Sequence, residues 1–252
     1  MEGTVFALAD VSAAQLAAVA AVAFVLSVVG GLTGYGVGLI LPAVIAPIVG
    51  VAAVVPVMAV AMFLTNGSRV IAFRRHLDHR AVVAVMLTAL PAALIGAQIY
   101  TLLPERAIAL LIGGFLIASV PLGRWVKRRR FTLGPRGLSA VGAGYGLLAG
   151  GMTGTGLILI AALLAAGIEG AAVVATDATI SLAVNLLKMI VFGRAAALDL
   201  EMLLAGMLIG ACTAPGAFVA RRLLRVMPMH VHVAVMEGLV VVGGLSLLWR
   251  AL

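Results

Sequence analysis

Residues 30–36 read Gly-Gly-Leu-Thr-Gly-Tyr-Gly, and residues 150–156 read Gly-Gly-Met-Thr-Gly-Thr-Gly, a shift of 120 residues (30 to 150). Further matches follow in the same order and at nearly the same spacing, pairing Asn66 with Asn185, Arg69 with Lys188, Phe73 with Phe192, Arg75 with Arg194, Asp78 with Asp199, and Gly96-Ala97 with Gly216-Ala217. A single glycine-rich match can arise by chance, whereas an ordered series of matches at nearly one spacing is much harder to obtain by chance. The sequence therefore predicts two related halves, residues 1–130 and residues 131–252.

The composition is that of a membrane protein. Of the 252 residues, 64% are hydrophobic and only 10% are charged, and the mean hydropathy is +1.24. A membrane-crossing helix needs about 20 mostly apolar residues, and such stretches fill nearly the whole chain from Ala13 to Leu248. Because these stretches are continuous and do not alternate with period two, they indicate helices. The predicted fold is an all-α, polytopic transmembrane bundle with about eight to ten membrane segments.

Each half divides into five apolar stretches, two of which flank a glycine motif. The predicted helices cover residues 12–30, 34–49, 51–73, 81–102 and 106–124 in the first half, and residues 137–150, 155–168, 170–192, 200–220 and 230–249 in the second. At about 1.5 Å per residue, the two pieces beside the second motif are too short to cross a core of about 30 Å comfortably. The sequence leaves open whether these glycine-flanking pieces cross the membrane or form a re-entrant hairpin.

The net charge of +8 is concentrated in a few loops. Three basic clusters lie at residues 69–80, 124–136 and 221–225, in short stretches between apolar runs. Basic loops face the cytoplasm in membrane proteins, so the charge predicts an orientation in the inner membrane and no nucleic-acid partner. If each half has an odd number of crossings, all three clusters are cytoplasmic, the repeats are inverted, and both termini are periplasmic. With an even number, the third cluster would lie outside.

The glycine motifs are the first candidates for a binding site. A broken helix exposes backbone N–H groups, which together with a threonine hydroxyl suit an anion. The alternative is that these glycines only allow a bend or close helix packing. The candidate substrate-binding residues in the motifs are Gly31, Thr33, Gly34 and Gly36 in the first half and Gly151, Thr153, Gly154 and Gly156 in the second.

Polar residues on the long helices are the second candidates. Asn66, Arg69, Asn185 and Lys188 are predicted to bind substrate, because an ionisable residue inside a membrane helix usually has a function. Both cations lie near helix ends, so the alternative is that they extend to the interface. A buried Lys188 would need a partner, either the transported anion or a carboxylate such as that of Glu237.

Two acidic residues are candidates for proton coupling, Asp177 and Glu237. Asp177 precedes Lys188 by 11 residues (177 to 188), which places both on nearly the same helix face about three turns apart. This spacing is too long for a direct ion pair but suits two groups that line one path. The alternative for Asp177 is a capping role at a helix start.

No pattern in the sequence favours catalysis. The histidines lack the i, i+4 spacing of a helical metal site, and no phosphate-binding loop motif with its lysine is present. The sequence therefore predicts no enzymatic activity, no cofactor and no metal site.

The arrangement of these elements resembles the sulfite exporter TauE/SafE family, also called the toluene sulfonate uptake permeases. The resemblance covers essentially the full chain and consists of two halves, each with a glycine motif, a long helix ending in basic residues and an aspartate, and a helix with a Gly-Ala pair. It implies transport of sulfite, sulfonates or related sulfur oxyanions, generally without ATP and often driven by the proton gradient.

We therefore expect a secondary transporter of a small anionic substrate within the lipid bilayer. A transporter of a carboxylate or another small solute, and a non-transporting membrane scaffold, remain as alternatives. The sequence leaves the oligomeric state open, a homo-oligomer included.

Overall fold

The structure, a computed structural model, describes residues 13–33, 36–128 and 132–223 together with Leu245. This part of the chain contains nine α-helices, a short 3-10 turn at Arg74–His76, and no strand, which confirms the predicted all-helical fold for these residues. The helices are α1 (Ala13–Thr33), α2 (Gly36–Val49), α3 (Val51–Phe73), α4 (His79–Leu102), α5 (Glu105–Arg128), α6 (Pro135–Gly151), α7 (Gly156–Ala165), α8 (Ala171–Arg194) and α9 (Leu200–Leu223).

Three of these helices are long and apolar enough to cross a bilayer: α3 with the following turn, α4, and α8. Shorter apolar helices lie within α1, α2, α7 and α9. Of the helix predicted at 230–249, only Leu245 lies among the described residues. The predicted total of eight to ten membrane segments therefore stays a prediction.

Close packing of small residues joins α4 to α6. Gly142, Gly146 and Gly150 follow one another at every fourth position and therefore share one face of α6. A Cβ atom added to Gly142 would lie 2.9 Å from the carbonyl oxygen of Val85, and one added to Gly150 would lie 2.7 Å from the backbone nitrogen of Ala97. The backbones of the two helices thus approach as closely as glycine allows, as is common in membrane bundles.

The contact between α9 and α1 repeats the contact between α4 and α6. Gly96 on α4 lies directly against the backbone of Leu147 on α6, and Gly216 on α9 lies directly against Ser27 on α1. The same shift of 120 residues relates both pairs, from 96 to 216 and from 27 to 147. Each half therefore places its Gly-Ala helix against the first helix of the other half.

The long helices α3 and α8 run antiparallel beside each other. Near the end of α3, the backbone N–H of Asp78 donates a 3.2 Å hydrogen bond to Oγ1 of Thr176, close to the start of α8. At the other end, Tyr100 donates a 2.9 Å hydrogen bond to the carbonyl of Ala52 on α3, and its ring lies 5.4 Å from the ring of Phe192 on α8. One end of α3 therefore meets the opposite end of α8.

Candidate functional site

The second glycine motif interrupts the helical chain. Helix α6 ends at Gly151, the next four residues are not helical, and α7 begins at Gly156. Gly154 adopts a φ of +79°, which a residue with a side chain rarely adopts. A Cβ atom on Gly38 would lie 3.1 Å from the backbone nitrogen of Gly154. The break therefore packs directly against the first turn of α2 from the other half.

A polar stripe runs along the face of α8 that is turned towards this break. Asp177, Ser181, Asn185 and Lys188 are spaced by four, four and three residues and are all buried. The stripe extends over about 16 Å, at about 1.5 Å per residue. Asp177 is the seventh residue of α8 and only 2% exposed, so the structure does not place it as a helix cap.

Lys188 is tied to the break. Its side chain is 2% exposed, and Nζ donates a 2.8 Å hydrogen bond to the carbonyl oxygen of Met152. Met152 follows the last residue of α6, and carbonyl groups at a helix C-terminus carry partial negative charge. The ammonium group thus lies inside the protein beside the break. Its partner in the structure is this carbonyl.

Helix α3 contributes Asn66 and Arg69 to the same region. Their side chains are 1% and 3% exposed, so the guanidinium of Arg69 also lies inside the protein. The charges of Arg69 and Asp177 attract each other across the boundary between α3 and α8. The structure therefore brings charged groups from both halves to one place.

These groups line a cavity of about 50 Å³ between α3, α6, α8 and the break. Its lining consists of polar side chains, break residues and a few apolar side chains: Gly38, Met62, Asn66, Arg69, Tyr145, Ala149, Met152, Thr153, Gly154, Thr155, Gly156, Asp177, Ser181, Val184, Asn185 and Lys188. A cavity needs a volume of about 10–15 Å³ to hold one buried water molecule. The cavity therefore has room for a few waters or for an anion of a few heavy atoms.

Within the part of the chain that the structure describes, three polar atoms of lining residues are buried without a hydrogen-bond partner. They are Nδ2 of Asn66, Oγ1 of Thr153 and Oδ1 of Asp177. Buried polar atoms in proteins nearly always have a partner, and leaving one without costs about 1–3 kcal/mol. An amide donor, a hydroxyl and a carboxylate oxygen are thus available in one small cavity.

Other polar lining groups are fixed by bonds to their neighbours. Tyr145 and Ser181 share a hydrogen bond of 3.1 Å between their hydroxyl oxygens, and Nδ2 of Asn185 donates a 2.7 Å bond to the carbonyl of Ser181. Gly156, the first residue of α7, also lines the cavity. The N–H groups of the first turn of a helix have no partner within that helix and favour anions.

The predicted site residues divide into three groups. The cavity is lined by Asn66, Arg69, Thr153, Gly154, Gly156, Asp177, Asn185 and Lys188. Gly151 instead faces α4, where an added Cβ atom would lie 3.0 Å from the carbonyl oxygen of Gly96. Gly34 and Glu237 lie outside the described residues, as do the surroundings of Gly31, Thr33 and Gly36.

Three further polar residues line the cavity that were not predicted from the sequence: Tyr145, Thr155 and Ser181. Ser181 lies midway between Asp177 and Asn185 at helical spacing, so the periodicity of α8 could have identified it. No comparable signal marks Tyr145, whose hydroxyl reaches the cavity only through the packing of α6.

The family Sulfite exporter TauE/SafE matches residues 19–247, nearly the whole chain. The chain belongs to this family. With its long apolar helices it is accordingly a membrane protein of a transporter family, and that assignment agrees with a function other than catalysis. Neither a curated protein nor a solved structure gives a significant match.

Proposed function

We propose that this TauE/SafE protein is a secondary transporter of a small sulfur oxyanion, sulfite or a sulfonate, and that the anion binds in the cavity at the helix break. The observation that carries this proposal is the composition of the cavity. Two buried cations, Arg69 and Lys188, lie with an unpartnered amide and an unpartnered hydroxyl around one small space. Such an environment favours a small anion with several oxygen atoms.

The helix break places two helix ends at this binding site. Helix α7 begins at Gly156, which lines the cavity. The carbonyl of Met152, directly after the end of α6, accepts the hydrogen bond of Lys188 at the edge of the same cavity. Non-helical backbone at membrane depth is tolerated where it is buried in protein or lines a water-filled cavity. In transporters with broken helices, substrate sites form from such helix ends.

We further propose that the two halves are inverted repeats in the inner membrane, with both termini in the periplasm. The antiparallel course of α3 and α8, which are equivalent helices of the two halves, supports this arrangement. The reciprocal contacts of Gly96 and Gly216 support a two-fold relation between the halves. The three basic clusters would then all face the cytoplasm.

Reporter fusions test this topology. A reporter active only in the cytoplasm should give a signal after Arg128 and after Arg222, and a reporter active only in the periplasm should give a signal at Leu252. A periplasmic signal after Arg222 would contradict the inverted arrangement.

Proton coupling is the third part of the proposal, with Asp177 as the group that carries the proton. A carboxylate with an unpartnered oxygen beside the anion site can take up a proton from, or release it to, the substrate pathway. Glu237 remains a second candidate outside the described residues.

Flux into liposomes tests the transport function. Purified protein reconstituted in liposomes should accumulate labelled sulfite faster than protein-free liposomes, and an inward proton gradient should increase the initial rate. Competition by unlabelled sulfate, sulfonates and carboxylates ranks the substrates. Preference for a carboxylate would replace the sulfur oxyanion as substrate, and absence of flux for every anion would contradict transport by this protein.

A further inference from the structure

The carboxylate of Asp177 is an unexpected group in a cavity for anions. Its Oδ1 lacks a hydrogen-bond partner, and its side chain is 2% exposed. An ionised carboxylate only accepts hydrogen bonds. An anion that has no proton would therefore place oxygen lone pairs against this oxygen, which is unfavourable at short distance in a medium of low dielectric constant.

The charge balance of the cavity points in the same direction. Among the described lining residues, Arg69 and Lys188 are basic and Asp177 is the one acidic residue, so their fully ionised forms carry two positive charges and one negative charge, a net charge of +1. Arg69 is attracted to Asp177, whereas the partner of Lys188 is the neutral carbonyl of Met152. A ligand with a net charge of −1, whether hydrogen sulfite or a sulfonate, neutralises the fully ionised cavity, and a dianion overcompensates it. The charge balance therefore disfavours dianions, and the separation of hydrogen sulfite from a sulfonate depends on the proton.

The other ionisable group near Asp177 does not change this balance. Tyr145 on α6 interacts electrostatically with Asp177 and is neutral while it shares its hydrogen bond with Ser181. Lys188 lies on the same helix about three turns away. Arg69, on α3, completes the set of ionisable groups that the described neighbouring helices direct towards this carboxylate.

We propose that Asp177 determines specificity by sharing one proton with the bound anion, so that the site selects acid oxyanions such as hydrogen sulfite. This inference rests on the proposed transport function and assigns a selectivity mechanism to the same site. The proton lies between Oδ1 of Asp177 and an oxygen of the anion. A sulfite dianion that meets a protonated Asp177, and hydrogen sulfite that meets the ionised carboxylate, give the same complex with a net ligand charge of −1.

The mechanism separates sulfur oxyanions that are similar in shape. Sulfite is basic enough to hold a proton near neutral pH, as is its selenium analogue selenite. Sulfate and the sulfonates are far weaker bases and bring no proton, so they face the ionised carboxylate without a bridging proton and bind only when Asp177 itself is protonated. A site whose buried polar group needs a hydrogen-bonding partner discriminates strongly against a ligand without that partner, because the buried group of the protein is then left unpaired.

Competition in liposomes tests this selectivity. Labelled sulfite uptake by the wild-type protein should be inhibited by unlabelled selenite at concentrations at least about tenfold lower than those of sulfate or methanesulfonate, a ratio equal to about 1.4 kcal/mol of binding. The assay is run at mildly alkaline pH, where little sulfite is present as the neutral, membrane-permeant species. Equal inhibition by all four anions, sulfite included, would overturn the proposal without contradicting sulfite transport.

The variant Asp177→Asn sharpens the test. The amide donates a hydrogen bond to any oxyanion without a shared proton, so sulfate and methanesulfonate should now compete within a few-fold of selenite. The matched control is Glu169→Gln, which removes an exposed carboxylate two residues before α8 and should keep wild-type selectivity. Unchanged discrimination in a folded Asp177→Asn variant would overturn the assignment. If that variant does not fold or takes up no labelled sulfite, the wild-type competition series decides alone.

Discussion

The two long helices α3 and α8 have equivalent places in the two predicted halves, and each carries an amide followed three residues later by a cation. A shift of 119 residues relates Asn66 to Asn185 (66 to 185) and Arg69 to Lys188 (69 to 188). All four side chains are buried and line the same cavity. Each half thus contributes an amide and a cation to a site that lies between them.

The helices differ in the turns that precede this pair. The same shift places Met58 opposite Asp177 (58 to 177) and Met62 opposite Ser181 (62 to 181). Methionine fills space with an apolar, adaptable side chain, whereas the carboxylate and the hydroxyl supply hydrogen-bonding groups. Under the proposed function, both predicted halves attract the anion through these residues, and among the described residues the group proposed to discriminate between anions, Asp177, belongs to the second half.

The largest expected effect concerns the packing that both halves share. Gly96→Ala and Gly216→Ala should each destabilise the protein by about 3 kcal/mol or more, because the added Cβ atom meets Leu147 or Ser27 directly. Thermal unfolding of detergent-purified variants measures this loss. Gly144→Ala is the control, since a Cβ atom there would meet nothing within 4 Å. A stable Gly216→Ala protein beside an unstable Gly96→Ala protein would break the equivalence of the halves.

The second-largest expected effect is the loss of sulfite flux when one of the two cations is replaced. Lys188→Ala should remain folded and inserted but reduce sulfite flux by about ten- to a hundredfold, because a hydrogen bond to a charged group contributes about 1.5–3 kcal/mol. Lys188→Arg should retain part of the flux, since the charge survives while the geometry changes. Arg194→Ala, which removes an exposed cation later on α8, is the matched control. Wild-type flux through equally expressed Lys188→Ala would contradict a role in transport.

Arg69→Ala extends this test to the first half. Because the substitution also leaves Asp177 without its nearby cation, the loss of flux should be at least as large as that of Lys188→Ala. A much smaller loss, measured in the same liposome assay, would restrict the anion-binding role to the second half.

The smallest expected effect concerns Ser181. Ser181→Ala removes the hydrogen bond with Tyr145, which contributes about 1 kcal/mol, so sulfite flux should fall by about fivefold. Thr179→Ala is the control, because its hydroxyl bonds only to the carbonyl of Ala175 within α8. Equal flux through both variants would show that the Tyr145 contact is dispensable for the site.

Much of the helical arrangement could be predicted from the sequence. The predicted helix at 51–73 has the bounds of α3, and the one at 170–192 differs from α8 by one residue at its start and two at its end. Apolar runs bounded by Gly50, Gly170 and the charged loops explain this agreement. Helix α7 ends at Ala165, three residues before its predicted end, because Gly167 adopts a positive φ of 81°.

The contacts inside the site were less accessible to sequence reasoning. The spacing along α8 predicts that Asp177 and Lys188 share a face, since this follows from helix geometry alone. The partner of Lys188 could not be predicted, because a backbone carbonyl such as that of Met152 has no sequence signature. The structure gives Lys188 a hydrogen bond to this carbonyl, while the predicted partners, the anion or Glu237, stay predictions.

The location of the bound anion tests the central claim most directly. Selenite is a heavier analogue of sulfite, and its selenium atom can be located by anomalous X-ray scattering in crystals of the protein soaked with it. We predict one strong peak inside the cavity, within hydrogen-bonding reach of Thr153 and Lys188, that is absent from crystals of Lys188→Ala. A peak at another place in the membrane-spanning region, with the cavity between α3, α8 and the helix break unchanged, would contradict the account.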